Sequence, residues 1–226
     1  MKYKWILFDA DNTLFDYDAA ELGALSSTFE ALGRPLLPEH LATYRDINHQ
    51  SWQAYERGEI TQAILRTRRF EQFLAALGLD EEPLPVSRQY LYHLGNRTDL
   101  IASAAEVVEA LYGRVGLMIL TNGLKDVQRS RLGQSEIGRY FSDIIISEEV
   151  GFAKPDGRIF DAAFEAMGRP QKTEVLIVGD SLTSDIQGGL DYGIDTCWFN
   201  PGRRPNILGR EVGFEIERIG ELLVIL

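Results

Sequence analysis

Five short apolar segments, each bounded by polar or turn-forming residues, limit this chain to a small number of folds. Each has the length of a strand buried on both faces, and they lie at residues 5–8, 117–120, 144–146, 175–178 and 196–199. Apolar residues recur at helical spacing between the later segments, as at Ala104, Val108 and Leu111. This alternation predicts an α/β fold with a doubly wound, Rossmann-like parallel sheet, and a further short strand is expected near residues 214–216.

A long helical segment interrupts this alternation after the first strand. Apolar residues recur with helical periodicity from Leu22 to Leu77, and Gly33, Gly58 and Gly78 divide the segment. The pattern predicts three or four helices inserted into the sheet domain. We therefore expect a helical domain at residues 16–96 and an α/β domain formed by residues 1–15 and 97–226.

Charge and hydropathy exclude several classes of partner. The chain has 23 Lys and Arg residues against 34 Asp and Glu residues, a formal net charge of −11, which argues against binding a nucleic-acid polymer or an anionic membrane. Its longest uncharged stretch, residues 115–124, is shorter than the roughly 18 residues of a membrane helix. The first apolar run ends at Asp9, too early for a signal peptide, so we expect a cytoplasmic protein.

Acidic residues follow the first predicted strand directly. Asp9, Asp11 and Thr13 lie where the chain leaves the sheet, and ligands of open parallel sheets bind at the carboxyl ends of the strands. Asp and Asn are also common turn formers, so this segment alone is compatible with an ordinary loop.

Three more polar groups occur at later strand ends or before helices. Thr121 and Asn122 follow the second strand, and their hydroxyl, amide and backbone N–H groups suit a phosphate. Lys154 precedes a helix, and Asp180 and Asp185 follow another strand. A surface lysine and helix-capping aspartates are the alternative interpretations. Four such features in this order favour a functional site.

With these four motifs the sequence resembles the haloacid dehalogenase superfamily of phosphohydrolases over essentially its whole length. Asp9, Asp11 and Thr13 match motif one, Thr121 motif two and Lys154 motif three, and Asp180 with Asp185 matches motif four. The helical insertion matches a C1-type cap domain. Residues 146–155 and 188–200, with Asn48 and Trp52, most resemble the bacterial pyrimidine 5′-nucleotidase branch. Asn12 stands where many relatives carry Gly or Glu. The difference leaves Asp9 and Asp11 in place and bears only on the conformation of the local turn.

The resemblance implies a mechanism. Asp9 would be the nucleophile that forms an aspartyl-phosphate, and Asp11 the general acid and base. Thr121, Asn122 and Lys154 would bind the phosphoryl group. Four site carboxylates and a phosphate dianion need added positive charge, which implies Mg²⁺, with Mn²⁺ as a substitute. The implied metal ligands are Asp9, Asp11 through its backbone carbonyl, Asp180 and Asp185.

The expected substrate is a small phosphomonoester, and for this branch a pyrimidine nucleoside 5′-monophosphate such as dUMP, dTMP or UMP. Phe15, Tyr17, Asn48 and Trp52 are the candidate contacts to a base, although aromatic residues at helical spacing commonly pack in a core. A phosphatase or mutase of a sugar phosphate or another small metabolite is the main alternative. A 2-haloacid dehalogenase is less consistent with Asp11, and a phospho-accepting signalling module would not need the helical insertion. The sequence makes no prediction of oligomeric state.

Overall fold

A parallel sheet of six strands forms the centre of the computed structural model, which describes residues 2–226. The strands are β1 (Trp5–Phe8), β2 (Gly116–Thr121), β3 (Asp143–Ile146), β4 (Val175–Gly179), β5 (Asp195–Phe199) and β6 (Phe214–Ile216). They lie in the order β3-β2-β1-β4-β5-β6, and every neighbouring pair is parallel. The predicted doubly wound sheet is confirmed, and β1 occupies its interior between β2 and β4.

Helices cover both faces of the sheet. They are α5 (Ala104–Leu111), α6 (Lys125–Gln134), α7 (Ser147–Val150), α8 (Gly157–Ala166), α9 (Gln187–Tyr192) and α10 (Leu222–Ile225). Successive side chains of a strand point to opposite faces, so Ile6 and Phe8 pack with Val108 of α5, whereas Leu7 packs with Phe160 of α8. The two apolar layers explain why the strands read as continuous apolar runs in the sequence.

Four further helices form a bundle between β1 and α5. They are α1 (Tyr17–Ala31), α2 (Pro38–Glu56), α3 (Gln62–Ala76) and α4 (Pro83–Gly95). Aromatic rings fill the bundle core: Tyr44 lies 5.5 Å from Phe70 and 5.2 Å from Phe73 between ring centroids. Within residues 2–226 no helix combines the length and the apolar character needed to cross a membrane.

The chain enters and leaves this bundle at one place. Phe15 forms an antiparallel bridge with Leu100, and the N–H of Ile101 donates to the carbonyl oxygen of Leu14 at 2.9 Å. Val127 of α6 joins the apolar core of the bundle. The two connections are therefore hydrogen-bonded to each other, and α6 provides a packing surface beside them.

Candidate active site

Three carboxylates converge at the carboxyl edge of the sheet. Asp9 follows β1, Asp180 follows β4, and Asp185 lies in a π-helical turn at Leu182–Ile186. One carboxylate oxygen from each lies within 4.8 Å of the others. Adjacent parallel strands end at the same edge, which is why residues 171 positions apart in the sequence, Asp9 and Asp180, become neighbours. An all-oxygen set of this kind fits a hard divalent cation such as Mg²⁺.

Lys154 lies among these carboxylates and is only 1% exposed. Its Nζ donates to Asp9 Oδ1 and Asp185 Oδ1, both at 2.6 Å, and to the carbonyl oxygen of Leu120 at 2.5 Å. The alternative of a solvated surface lysine is therefore excluded. A single buried cation faces two carboxylates directly, and Asp180 adds a third negative group.

Asn122 fixes the position of Lys154. Its Nδ2 donates to the carbonyl oxygen of Lys154 at 2.9 Å, and its Oδ1 accepts from the N–H of Lys154 at 2.8 Å. The Asn122 side chain thus clamps the lysine backbone. Beside it, Thr121 Oγ1 accepts from the N–H of Gly123 at 3.0 Å, so the hydroxyl hydrogen of Thr121 is left for another acceptor.

Ser147 connects Asn122, which holds the Lys154 backbone, to the helical bundle. Ser147 Oγ accepts from Tyr55 Oη at 3.3 Å and from Gln62 Nε2 at 3.1 Å, and it donates to the carbonyl oxygen of Asn122 at 3.2 Å. Residues of α2 and α3 are therefore connected through Ser147, the first residue of α7, to the backbone of Asn122.

The Asp180 backbone is held from β5 and the loop that follows it. Its carbonyl oxygen accepts from Trp198 Nε1 at 3.0 Å and from Arg204 Nη2 at 2.6 Å. The guanidinium also lies 3.7 Å from the Asp180 carboxylate. Trp198 belongs to the segment through which the sequence resembles the nucleotidase branch, and its contact gives that segment a structural role at the site.

Asp11 is held by two side chains of α6. Gln128 Nε2 donates to Asp11 Oδ2 at 2.6 Å, and Arg131 Nη1 donates to Oδ1. Neither residue is among those predicted from the sequence, because a glutamine and an arginine on a surface-type helix give no local signal.

The turn that carries Asp11 suits the residue after it. Asn12 has a φ of +58°, in the left-handed region that Asn adopts more readily than most residues. Its Oδ1 accepts from the N–H of Tyr17 at 3.1 Å, which connects the turn to the start of α1. Asn12 is thus compatible with the local geometry.

A cavity of about 300 Å³ lies above the carboxylates. The predicted residues that line it from the sheet domain are Asp9, Asp11, Thr121, Asn122, Lys154, Asp180 and Asp185. The opposite wall is one face of α2, formed by Arg45, Asn48, His49, Trp52 and Glu56. Arg45, His49 and Glu56 are not among the predicted residues, and their helical spacing with Trp52 is the signal that could have identified them.

The four side chains predicted to contact a base differ in position. Tyr17, Asn48 and Trp52 line the cavity, whereas Phe15 is 1% exposed, lies in the core of the sheet domain and does not line it. The amide of Asn48 is engaged on both sides: its Oδ1 accepts from Arg69 Nη1 at 2.7 Å, and its Nδ2 donates to Tyr17 Oη at 3.3 Å. Asn48 therefore orders the wall of the cavity, and Phe15 supports the turn from beneath.

Burial and the repulsion between the carboxylates shift the pKa values of this cluster. Burial, with the nearby Asp185 carboxylate, raises the pKa of Asp9 to about 7 despite the opposing effect of Lys154. Burial and the carboxylates of Asp9 and Asp185 raise the pKa of Asp180 well above its usual range. Burial acts to lower the pKa of Lys154, but Asp185 and Asp9 together raise it. The site therefore holds more negative charge than Lys154 alone neutralises.

In the absence of divalent metal, the protein is expected to become more stable as the pH falls from about 8 to about 5.5. The native pKa of Asp9 is raised from 3.8 to about 7, so the native state binds this proton more tightly than the unfolded chain. The stabilisation is present at low pH and is lost as the pH rises through about 7. Asp180 and Glu56, whose pKa values are also raised, act in the same direction.

Thermal unfolding in EDTA at the two pH values measures this dependence. Added Mg²⁺ favours the ionised carboxylates and should raise the Tm more at the higher pH. A metal-free Tm that is equal or higher at about pH 8 would contradict the charge imbalance inferred for the cluster.

A family model, curated sequences and a solved structure all show similarity between this chain and known hydrolases. A family model described as haloacid dehalogenase-like hydrolase matches residues 3–193. The chain is 36% identical to the HAD-hydrolase YfnB of Bacillus subtilis over 225 residues, covering 100% of this chain and 96% of that protein. It is 34% identical to the pyrimidine 5′-nucleotidase YjjG of Escherichia coli, covering 98% and 97% of the two chains. For the pyrimidine 5′-nucleotidase PynA of Streptococcus pneumoniae the identity is 32%, with coverage of 99% and 94%. The crystal structure of YfnB bound to magnesium superposes with a TM-score of 0.94, covering 100% of this chain and 99% of that chain.

Proposed function

The chain belongs to the haloacid dehalogenase-like hydrolase family, and on that premise we propose that it is a metal-dependent phosphomonoesterase of pyrimidine nucleoside 5′-monophosphates. The observation that carries this proposal is the contact of Lys154 with Asp9 and Asp185 on the floor of a cavity whose opposite wall is α2. The similarity to YjjG and PynA, which are named pyrimidine 5′-nucleotidases, supports the substrate class. In this proposal residues 16–96 are the cap domain, and residues 1–15 and 97–226 are the catalytic domain.

Asp9 is the proposed nucleophile. Lys154 Nζ donates a hydrogen bond to Asp9 Oδ1. Among the described residues, Asp9 Oδ2 accepts only one long hydrogen bond, from Thr13 Oγ1 at 3.4 Å. Oδ2 is thus the oxygen that can attack phosphorus. As the new O–P bond forms, the P–O bond to the ester breaks, and the ester oxygen takes a proton from the Asp11 carboxyl.

The second half of the reaction uses the same two carboxylates. A water molecule attacks phosphorus, Asp11 accepts a proton from this water, and the bond between Asp9 and phosphorus breaks. Inorganic phosphate leaves and Asp9 is regenerated. Dividing the reaction in this way replaces one slow displacement by two faster ones.

The carboxylate cluster fits Mg²⁺, with Mn²⁺ as a substitute. Asp9, Asp180 and Asp185 would hold the ion, with the backbone carbonyl of Asp11 as a further ligand implied by the family resemblance. When bound, the cation supplies positive charge that offsets the carboxylates and the substrate phosphate. The raised pKa values of Asp9 and Asp180 are those expected of ligands that lack such a charge.

The phosphoryl group would be held by Lys154, by the Thr121 hydroxyl and by the Asn122 loop. Lys154 is fixed by the Asn122 side chain, so its charge is in place before substrate binds. A preorganised cation costs no rearrangement when charge develops on the phosphoryl oxygens.

We test the proposal by measuring phosphate release from a panel of nucleoside monophosphates and sugar phosphates, with Mg²⁺ and with EDTA. Metal-dependent release concentrated on dUMP, dTMP and UMP is the expected result. Release mainly from sugar phosphates would overturn the substrate class and keep the chemistry. No release from any ester would overturn the phosphomonoesterase itself.

Replacing Trp52 by leucine is expected to raise the KM for UMP by roughly 5- to 150-fold, because stacking of a base on an aromatic ring contributes about 1–3 kcal/mol. The KM for p-nitrophenyl phosphate, which has no base, should change little. Tyr92→Leu is the matched control, since Tyr92 also lies in the bundle but is 69% exposed and does not line the cavity. Equal changes for both substrates would show that Trp52 does not contact the base.

A further inference from the structure

Two polar side chains are buried on α6, a helix to which the proposed mechanism assigns no residue. Gln128 is 1% exposed and Arg131 is 0% exposed, and their spacing places them one turn apart on the same face. The face points toward Asp11. Arginine is among the residues most rarely buried completely, and such burial calls for a specific partner.

Both oxygens of the Asp11 carboxylate are held from this face. Gln128 Nε2 donates to Oδ2 at 2.6 Å, and Arg131 Nη1 donates to Oδ1. Held at both oxygens, the carboxylate cannot rotate about its last bond without breaking a hydrogen bond. The contacts therefore fix the orientation of the group as well as its position.

The arrangement is costly for the fold. Arg131 Nε and Nη2 and Gln128 Oε1 are buried without a hydrogen-bond partner among the described residues. A buried charge with unsatisfied donors normally destabilises a protein, so stability alone does not account for these two residues.

The surrounding structure makes room for both side chains. A Cβ on Gly123 would lie 2.2 Å from Gln128 Nε2, so a larger residue at position 123 would displace the glutamine. The Arg131 guanidinium lies over the ring of Phe15, 5.2 Å from its centroid. Phe15 therefore supports the guanidinium that contacts Asp11.

We propose that Gln128 and Arg131 are positioning residues that hold the Asp11 carboxyl where it can protonate the leaving ester oxygen. This inference rests on the proposed phosphomonoesterase function. In the first step a proton carried on the second lone pair of Asp11 Oδ2, the oxygen that accepts from the neutral Gln128 amide, moves to the ester oxygen while the ester P–O bond breaks and the Asp9–phosphorus bond forms. A displaced carboxyl cannot reach that oxygen, and misplacements near 1 Å can cost about 10²-fold in rate.

The identity of the leaving group separates a positioning role from a structural one. An alkoxide is a strong base and needs a proton as it leaves, whereas p-nitrophenolate leaves with little assistance. Benzyl phosphate, phenyl phosphate and p-nitrophenyl phosphate share a single ring and differ in this requirement. None of them contains a nucleobase, so changes in base recognition do not affect the comparison.

The experiment measures kcat/KM for the three esters with Arg131→Met and Gln128→Met, in saturating Mg²⁺. We expect a loss of about 10- to 100-fold for benzyl phosphate, a smaller loss for phenyl phosphate and less than about threefold for p-nitrophenyl phosphate. Asp11→Asn gives the profile of an enzyme that lacks the acid, and both variants should approach it. Gln128→Met keeps the buried arginine, so it tests the proposal even if Arg131→Met folds poorly.

Arg69→Met is the matched control. Arg69 is a second buried arginine, 1% exposed, and two of its nitrogens have no hydrogen-bond partner within residues 2–226, but the group to which it donates is Asn48. It should leave the ratio between the three esters unchanged. Equal losses on all three esters for both α6 variants would overturn the positioning role. A wild-type protein that releases phosphate neither from these esters nor from any member of the nucleotide and sugar-phosphate panel would overturn the proposed function, and the positioning role with it.

Discussion

An Asp9→Asn variant is expected to lose phosphate release by at least about 10⁴-fold, because a neutral amide cannot form the aspartyl-phosphate. The loss should be the same for every ester in the substrate panel, since in the proposed mechanism all of them pass through the same bond to Asp9. Steady-state phosphate release in Mg²⁺ measures it. Asp80→Asn, which changes an exposed carboxylate in the loop before α4, should retain full activity. Retention of more than about 1% of the wild-type rate by the Asp9 variant would exclude Asp9 as the nucleophile.

The same substitution should leave the fold intact and raise the Tm of the metal-free protein at about pH 8. Asn keeps the shape of Asp and removes one buried negative charge from a cluster in which burial already raises the pKa of Asp9 to about 7. An inactive variant with an unchanged or higher Tm separates loss of chemistry from loss of structure. A large fall in Tm would instead show that Asp9 is needed for folding.

Replacing Lys154 by methionine should produce the second large effect, on stability as well as activity. The substitution removes the ammonium group that donates to Asp9 and Asp185 and leaves their carboxylates uncompensated. Breaking a buried ion pair at one partner typically costs about 3–5 kcal/mol. Urea unfolding in EDTA measures the change in the free energy of unfolding, and Mg²⁺ should recover part of it.

Two further variants test whether the stability lost in Lys154→Met comes from the uncompensated carboxylates. Lys125→Met changes an exposed lysine at the start of α6 and should leave stability within about 0.5 kcal/mol of wild type. Adding Asp185→Asn to Lys154→Met should restore part of the stability, because it removes one of the stranded charges. A cost below about 1 kcal/mol for Lys154→Met would show that the carboxylates do not depend on the lysine.

The sheet was predictable because buried strands leave an unambiguous pattern. The apolar run at Trp5–Phe8, followed at once by Asp9, marks both the strand and the edge of the sheet at which the carboxylates converge. Lys154 is recognisable through its motif, although nothing local predicts that its Nζ reaches Asp9, 145 residues earlier in the chain. The roles of these residues in catalysis remain predictions.

Side chains that act across elements were harder to identify. Arg131 resembles any polar residue on an amphipathic helix, and only the packing of α6 shows that it is buried against Asp11. Phe15 illustrates the opposite difficulty. An aromatic residue next to a catalytic motif suggests a substrate contact, but the bridge to Leu100 places it in the core. Contacts of this kind depend on tertiary structure, to which sequence spacing gives no access.

The paired connections at Phe15 and Leu100 have a consequence for how such an enzyme can diversify. The two connections between the sheet domain and the bundle are hydrogen-bonded to each other. Helices α1 to α4 therefore form an insertion whose two ends lie side by side. Substitutions, length changes or even exchange of this insertion alter the α2 wall of the cavity without shifting β1 or Asp9. Two contacts constrain such exchange: the face of α6 on which Val127 joins the core of the bundle, and Ser147, which accepts hydrogen bonds from Tyr55 and Gln62. Mutations in the part of the gene that encodes α1 to α4 can thus change which ligand binds, while the part that encodes the sheet domain keeps the residues of the reaction.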